Sequence, residues 1–256
     1  MMEKEYALEL MQKENRIDER KFEEFRKIEI KRNIIKTAEG SASVKIGETH
    51  VIAGVKLNIG TPFADRPEEG VLIVNAEFTP LASPDFESGP PSEDAVELAR
   101  VVDRGIRESK CIKLEDLVIE PKLKVWSIFV DIHIINHDGN LMNAAALAAI
   151  AALLSTKIPK IEDGKILRGE FVKDLPIVHY PINITVCKIG KKYLIDPILE
   201  EESVINAKLT IAVMEDDKIC AMQKQGKEGI VFEELEEMID LAIEKSKELR
   251  KLIKCQ

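Results

Sequence analysis

The chain has 256 residues, a hydrophobic fraction of 45%, a charged fraction of 32% and a formal charge of −9. That length suits one large domain or two modest ones, needs no disulfide or metal staple, and with this balance of apolar and charged residues argues against disorder. Aromatics are only 5%, so the core must be built from Ile, Leu, Val and Ala, and the acidic balance sets a first expectation against nucleic acid.

Residues 3–13 have helical spacing, with Tyr6, Leu8, Leu10 and Met11 among charges, and predict a short N-terminal helix that docks on the body. Val44 and Ile46 alternate with polar neighbours, Gly47-Glu48 makes a two-residue turn, and Thr49, Val51, Ala53, Val55 and Leu57 resume the alternation. Glycine at the first loop position suits a type II′ hairpin. Residues 58–70 read as a loop, and the near-continuous apolar run at 71–78 predicts a strand buried on both faces. Residues 79–92 form a long loop with Pro80, Pro84, Pro90 and Pro91. Ser92 is an expected N-cap, followed by Glu93 and Asp94 where acids favour the helix dipole, for a helix to about 110.

A strand is expected over 122–135, then the turn His137-Asp138-Gly139-Asn140 and an Ala-rich helix over 141–156. Further strands are expected near 181–189, 192–196, 207–214 and 218–224. The last helix, 231–253, carries an apolar stripe of Phe232, Leu235, Ile239, Ala242 and Leu249. Each half is strand hairpins followed by helix, which predicts an α+β fold with helices layered on mixed sheets. No apolar run approaches the ~20 residues of a membrane span, and residues 1–16 lack an apolar signal core. Cys111, Cys187, Cys220 and Cys255 lie far apart without CxxC spacing, which predicts reduced thiols, a cytoplasmic protein and no structural zinc.

The 92–110 helix is the most informative segment. Ala95, Leu98, Ala99, Val102 and Ile106 form its apolar face, and Arg100, Arg104 and Arg107 lie almost opposite, within roughly 60° of one another. Three guanidiniums on one rigid stripe could hold successive phosphates; the plainer alternative is a solvated face paired to Glu93, Glu97 and Asp103. Asp131 and His133 share a strand face and with His137 and Asp138 could form a metal or acid–base site, or simply a strand rim and a turn. His50 and His179 are isolated and read as structural. Asp196, Glu200, Glu201 and Glu202 could bind a divalent cation or form a solvated loop. There is no P-loop, GxGxxG, GxSxG or HExxH.

Four groups of residues form a familiar set: Arg16-Ile17-Asp18-Glu19-Arg20; Gly40-Ser41-Ala42 with Gly47-Glu48-Thr49-His50-Val51; the arginine helix from Glu97 to Arg107; and Asp138-Gly139 before the Ala-rich helix. In these the chain resembles the RNase PH family of phosphorolytic 3′-to-5′ exoribonucleases, over nearly its whole length. The family's R-x-D-G-R motif has Glu19 in place of its glycine here. Catalytic members follow D-G-G with a threonine or serine and an arginine that hold inorganic phosphate; Leu141 and Met142 stand there. They also carry two aspartates six residues apart, matched by Glu202 and Lys208, and a lysine reverses the charge where a metal or general acid is needed. The segments 75–84 and 196–202 are similar to the non-catalytic RNase PH-type subunits of the archaeal exosome.

The resemblance implies an RNase PH-like fold, of the type also called ribosomal protein S5 domain 2-like. It implies an N-terminal helix and arm at 1–30 and an RNase PH-like domain at 31–256, with halves at 31–165 and 180–256. It further implies a hexameric ring of three heterodimers with a catalytic RNase PH-type subunit, a cap of RNA-binding subunits, single-stranded RNA in the channel, and RNA contacts at Arg100, Arg104 and Arg107. No cofactor, resident metal, own catalytic residue or membrane contact is expected. The alternatives are an active phosphorolytic exoribonuclease of this family, which Leu141, Met142 and Lys208 oppose, and a free-standing binding protein with no nuclease partner.

Overall fold

Strict alternation of apolar and polar residues sets the first sheet. In the computed structural model, which describes residues 2–13 and 15–254, it has six strands: β1 (Ile28–Arg32), β2 (Gly40–Ile46), β3 (Thr49–Gly60), β4 (Val71–Glu77), β5 (Val118–Glu120) and β6 (Lys124–Asn136). Their order is β1-β2-β3-β6-β4, with β5 beside β6. Val44, Ile46, Val51, Ala53, Val55 and Leu57 are fully buried on one face, as a period of two requires. Ile46 faces Thr49 across the Gly47-Glu48 turn, and of the two loop residues only Gly47 has a positive φ, +57°, as a type II′ turn needs.

β4 runs parallel to β6, reached through α2 (Glu93–Glu108), and forms the edge of the sheet. This corrects the expectation of burial on both faces: Asn75 and Glu77 are exposed, and α2 covers the other side of the strand. Ser92 caps α2, its hydroxyl accepting from the Ala95 amide at 3.2 Å. The predicted face Ala95, Leu98, Ala99, Val102 and Ile106 is the buried one. Gly105 completes it, because a Cβ there would stand 2.9 Å from Asn183 Oδ1.

The second sheet is antiparallel, in the order β10 (Lys192–Ile195), β9 (Ile182–Ile189), β11 (Ala207–Val213), β12 (Ile219–Gly226). All four strands lie where the sequence predicts them. α3 (Leu141–Leu154) is apolar all round and buried from Asn143 to Leu153, so it packs between the sheets, on β2 and β3 on one side and β9 on the other. α5 (Phe232–Lys254) covers β9 and β11 through Met238, Ala242, Ser246, Leu249 and Ile253. Phe232, expected in that stripe, is 68% exposed. It lies six residues before Met238, roughly 120° round the helix.

Besides a single 3-10 turn at Leu114–Leu117, three shorter features complete the described chain. α1 (Met2–Gln12) docks through Ala7 and Met11 onto a small cluster with Cys187, Ile189, Leu194 and Val204, leaving Tyr6 and Leu8 in solvent. β7 (Lys157–Glu162) and β8 (Lys165–Asp174) form a separate hairpin that the sequence reading did not anticipate. α4 (Leu199–Glu202) is a single helical turn after β10. Cys111, Cys187 and Cys220 are free thiols, and Cys255 lies outside the described residues. Burial pushes the Cys111 and Cys187 thiols up to about 12, so both stay protonated and unreactive near neutral pH.

Candidate functional site

The three arginines of α2 do not share one fate. Arg100 and Arg104 are exposed and border a groove of about 380 Å³ with Pro91, Val96, Glu97 and Gln223. Among the described residues Arg100 makes no hydrogen bond or ion pair, and Arg104 makes one contact, Nη1 to Gln223 Oε1 at 3.4 Å. Arg107 is committed within the chain. It holds Asp103 through Nη2 at 2.6 Å and Nε at 3.0 Å, and Nη2 also donates to the Leu72 carbonyl of β4 at 3.0 Å. It therefore staples α2 to an edge strand and covers a backbone group that an edge leaves unpaired. Of the acids expected to neutralise the stripe, Asp103 pairs with Arg107, whereas Glu97 accepts from Gln223 and Gln225 of β12.

The turn before α3 is the second element of the site. Gly139 has φ +80°, and a Cβ there would meet the Pro197 carbonyl at 2.3 Å, so only glycine lets this turn lie against 197–198. At the head of α3 the Asn140 amide donates to Glu202 Oε1 at 2.8 Å, and Glu202 Oε2 pairs with Lys208 Nζ at 2.9 Å. A helix N-terminus attracts an anion, and here the chain's own Glu202 takes that place. Burial alone would lower the Lys208 pKa, but Glu202 outweighs it and holds the ammonium above its ordinary value. The cavity beside this pair, about 240 Å³, has Leu98, Leu141, Met142 and Thr185 in its wall. His137 stacks on Phe86 at 5.5 Å between ring centroids, and burial lowers its pKa, which favours the neutral imidazole.

The acidic segment 196–202 is neither a cation site nor a solvated loop. Asp196 is fully buried, accepting from Arg26 Nη2 at 2.8 Å, Asn140 Nδ2 at 2.7 Å and Arg20 Nη1 at 3.1 Å. Glu201, also fully buried, holds Arg16 at 2.6 Å, and Arg16 donates to the Ile195 and Asp196 carbonyls. Arg26 reaches on to Asp138, Nη1 to Oδ2 at 2.9 Å. The 16–26 arm is thus bolted through Asp196 to the turn that heads α3. Composition carries no sign of this network, because its partners lie 56 to 185 residues apart. The one local signal was the Arg16–Arg20 motif itself.

Asp131 and His133 lie on the same face of β6 but each meets the edge strand: Asp131 accepts from Asn75 at 3.1 Å and His133 lies 3.4 Å from Glu77. His50 bonds Ser43 at 2.8 Å and His179 lies 3.5 Å from Glu215. Among the described residues no group of three or more His, Cys, Asp or Glu is arranged to hold a metal ion, and no helix is long and apolar enough to cross a membrane.

Two family models match this chain, the 3′ exoribonuclease family domain 1 over residues 24–159 and domain 2 over residues 179–245. The chain belongs to the RNase PH family of 3′ exoribonucleases. Within that family it is 49% identical to the exosome complex component Rrp42 of Thermococcus gammatolerans, over 96% of this chain and 92% of that protein. A chain of the structure described as "Archaeoglobus fulgidus exosome with RNA bound to the active site" superposes with a TM-score of 0.91 at 48% identity, covering 98% of this chain and 97% of that one. A chain of an archaeal exosome core superposes at 0.89 with 46% identity, covering 99% and 96%. The expected RNase PH fold is therefore the observed one, α+β with both family domains present.

Proposed function

We propose that this chain is a non-catalytic subunit of the exosome, a phosphate-dependent 3′-to-5′ exoribonuclease complex. It pairs with a catalytic RNase PH-type subunit in a hexameric ring of three heterodimers, under a cap of RNA-binding subunits. The reaction belongs to the complex: inorganic phosphate attacks the 3′-terminal phosphodiester and releases a nucleoside diphosphate. This chain shapes the neighbouring active site and grips single-stranded RNA by its backbone. Residues 1–30 serve as the arm and 31–165 and 180–256 as the two halves of the body.

One observation carries the reading. Glu202 accepts from the Asn140 amide at the head of α3 and is paired with Lys208, at the positions where catalytic relatives carry two aspartates. Leu141 and Met142 stand at the phosphate positions and neither side chain can donate to a phosphate oxygen, and Lys208 replaces the acid that a metal or proton transfer needs. The likeness to exosome components, one of them in a structure with RNA, supports the assembly. A cytoplasmic location is part of the proposal and rests on the buried free thiols Cys111 and Cys187.

Arg100 and Arg104 are the proposed RNA contacts; Arg107, named with them by spacing, supports the helix instead. The test is Arg100→Ala, Arg104→Ala in a chain assembled with wild-type catalytic partner. RNA affinity should fall for all sequences alike, because backbone contacts carry no sequence information. The slope of log affinity against log salt should flatten by about 0.7 per lost contact. A ring that forms normally with unchanged affinity and slope would show that the stripe is only a solvated face.

A further inference from the structure

Arg104 has one neighbour on its own chain, Gln223, and Gln223 is itself held. Gln223 Nε2 donates to Glu97 Oε1 at 3.0 Å, and Gln225 Nε2 donates to Glu97 Oε2 at 2.8 Å. The pattern follows from periodicity. Residues 223 and 225 share a face of β12, and Glu97 lies seven residues, two turns, before Arg104 on α2. One carboxylate therefore takes an amide proton from each of two glutamines, and the first glutamine's oxygen is left pointing at the guanidinium of Arg104, 3.4 Å away.

Two consequences follow. Glu97 keeps its negative charge, but each of its oxygens is turned to a glutamine of β12. Glu97 also lies in the wall of both cavities, the arginine groove and the cavity beside Lys208, so it stands between them. A carboxylate that accepts a hydrogen bond at each oxygen is held in one orientation while its charge remains.

We infer that Glu97 is a positioning residue for RNA: through Gln223 it aims Arg104 into the groove. The inference rests on the proposed RNA contact of Arg104. Glu97→Gln should retain the function, because Gln225 can reverse its amide to meet the new donor while Gln223 stays as it is. Glu97→Ala and Gln223→Ala should each weaken binding about three- to tenfold, the range for one ordinary lost hydrogen bond.

The experiment is a double-mutant cycle on the assembled complex with wild-type catalytic partner. Affinity for single-stranded poly(A) is measured at several salt concentrations for wild type, Glu97→Ala, Glu97→Gln, Arg104→Ala and Glu97→Ala with Arg104→Ala. The expected result is that Glu97→Ala weakens binding in the wild-type background, has no further effect in the Arg104→Ala background, and is rescued by Glu97→Gln. Losses that multiply in the double variant would mean that Glu97 acts on the fold at large and would overturn the inference, as would an unchanged affinity of Glu97→Ala beside a weakened Arg104→Ala. An Arg104→Ala variant with wild-type affinity and salt slope would instead remove the RNA contact itself, and the positioning role with it.

Discussion

Glu19 stands at φ +62°, in the left-handed region where a side chain costs about 1–2 kcal/mol and glycine does not. RNase PH relatives with R-x-D-G-R have glycine there, and the backbone here explains why. Glu19→Gly should stabilise the chain by about 0.5–1 kcal/mol, the relieved strain less the extra freedom gained by the unfolded chain, as read from denaturant midpoints. Asp196 presents the opposite case, a charge the fold cannot lose. Burial by itself would raise its pKa, but the Arg26 guanidinium outweighs burial and holds the carboxyl below its ordinary value. A carboxyl depressed in the folded state stabilises above its unfolded pKa, and the stabilisation drains away as pH falls through the folded value. Stability should therefore decline below about pH 4, and in Asp196→Asn this part of the decline should be absent. The same variant should lose about 3–5 kcal/mol at neutral pH, because it leaves Arg20 and Arg26 without their buried counter-charge.

At the scale of elements, the arginines of α2 divide into an exposed pair and one committed within the chain, which sequence spacing runs together. Arg107→Ala should cost about 1 kcal/mol of stability and leave the salt dependence of RNA binding in the complex unchanged, because this partly exposed side chain is spent on Asp103 and Leu72. The helix, its Ser92 cap and its apolar face were legible in the sequence because helical periodicity and capping are local. The division among the three arginines was not, since it depends on β4 passing beneath one end of the helix. The β7–β8 hairpin escaped for a related reason. Asp163 and Gly164, at φ +50° and +74°, are a hairpin turn of the most recognisable kind, but Pro159 and Gly169 interrupt the alternation on either side and the pairing register shifts at Pro159. The closed site was half legible. Leu141, Met142 and Lys208 stood out against the family pattern, whereas the reach of Glu202 to the Asn140 amide needed the fold of 196–202 onto Gly139.

Over the whole molecule, a net charge of −9 argues against nucleic acid, and the proposed RNA contact of two arginines on one groove, with a proposed catalytic partner supplying the rest, would reconcile acidity with RNA. The likeness to exosome components over nearly the whole chain is the ground for expecting it to work as one part of an assembly. Co-expression with a catalytic RNase PH-type subunit should give a stable complex of alternating chains, with obligate interfaces of about 2,000 Å² or more, while a chain that stays monomeric beside that partner would contradict the assembly. The most direct test of the central claim is phosphorolysis itself. Nucleoside diphosphate release from single-stranded RNA in inorganic phosphate is measured for the purified chain, the purified catalytic partner and the two assembled. The account predicts no release by this chain alone and release by the assembly. Phosphate-dependent release by the pure chain, free of contaminating nuclease and abolished by Glu202→Ala, would contradict it.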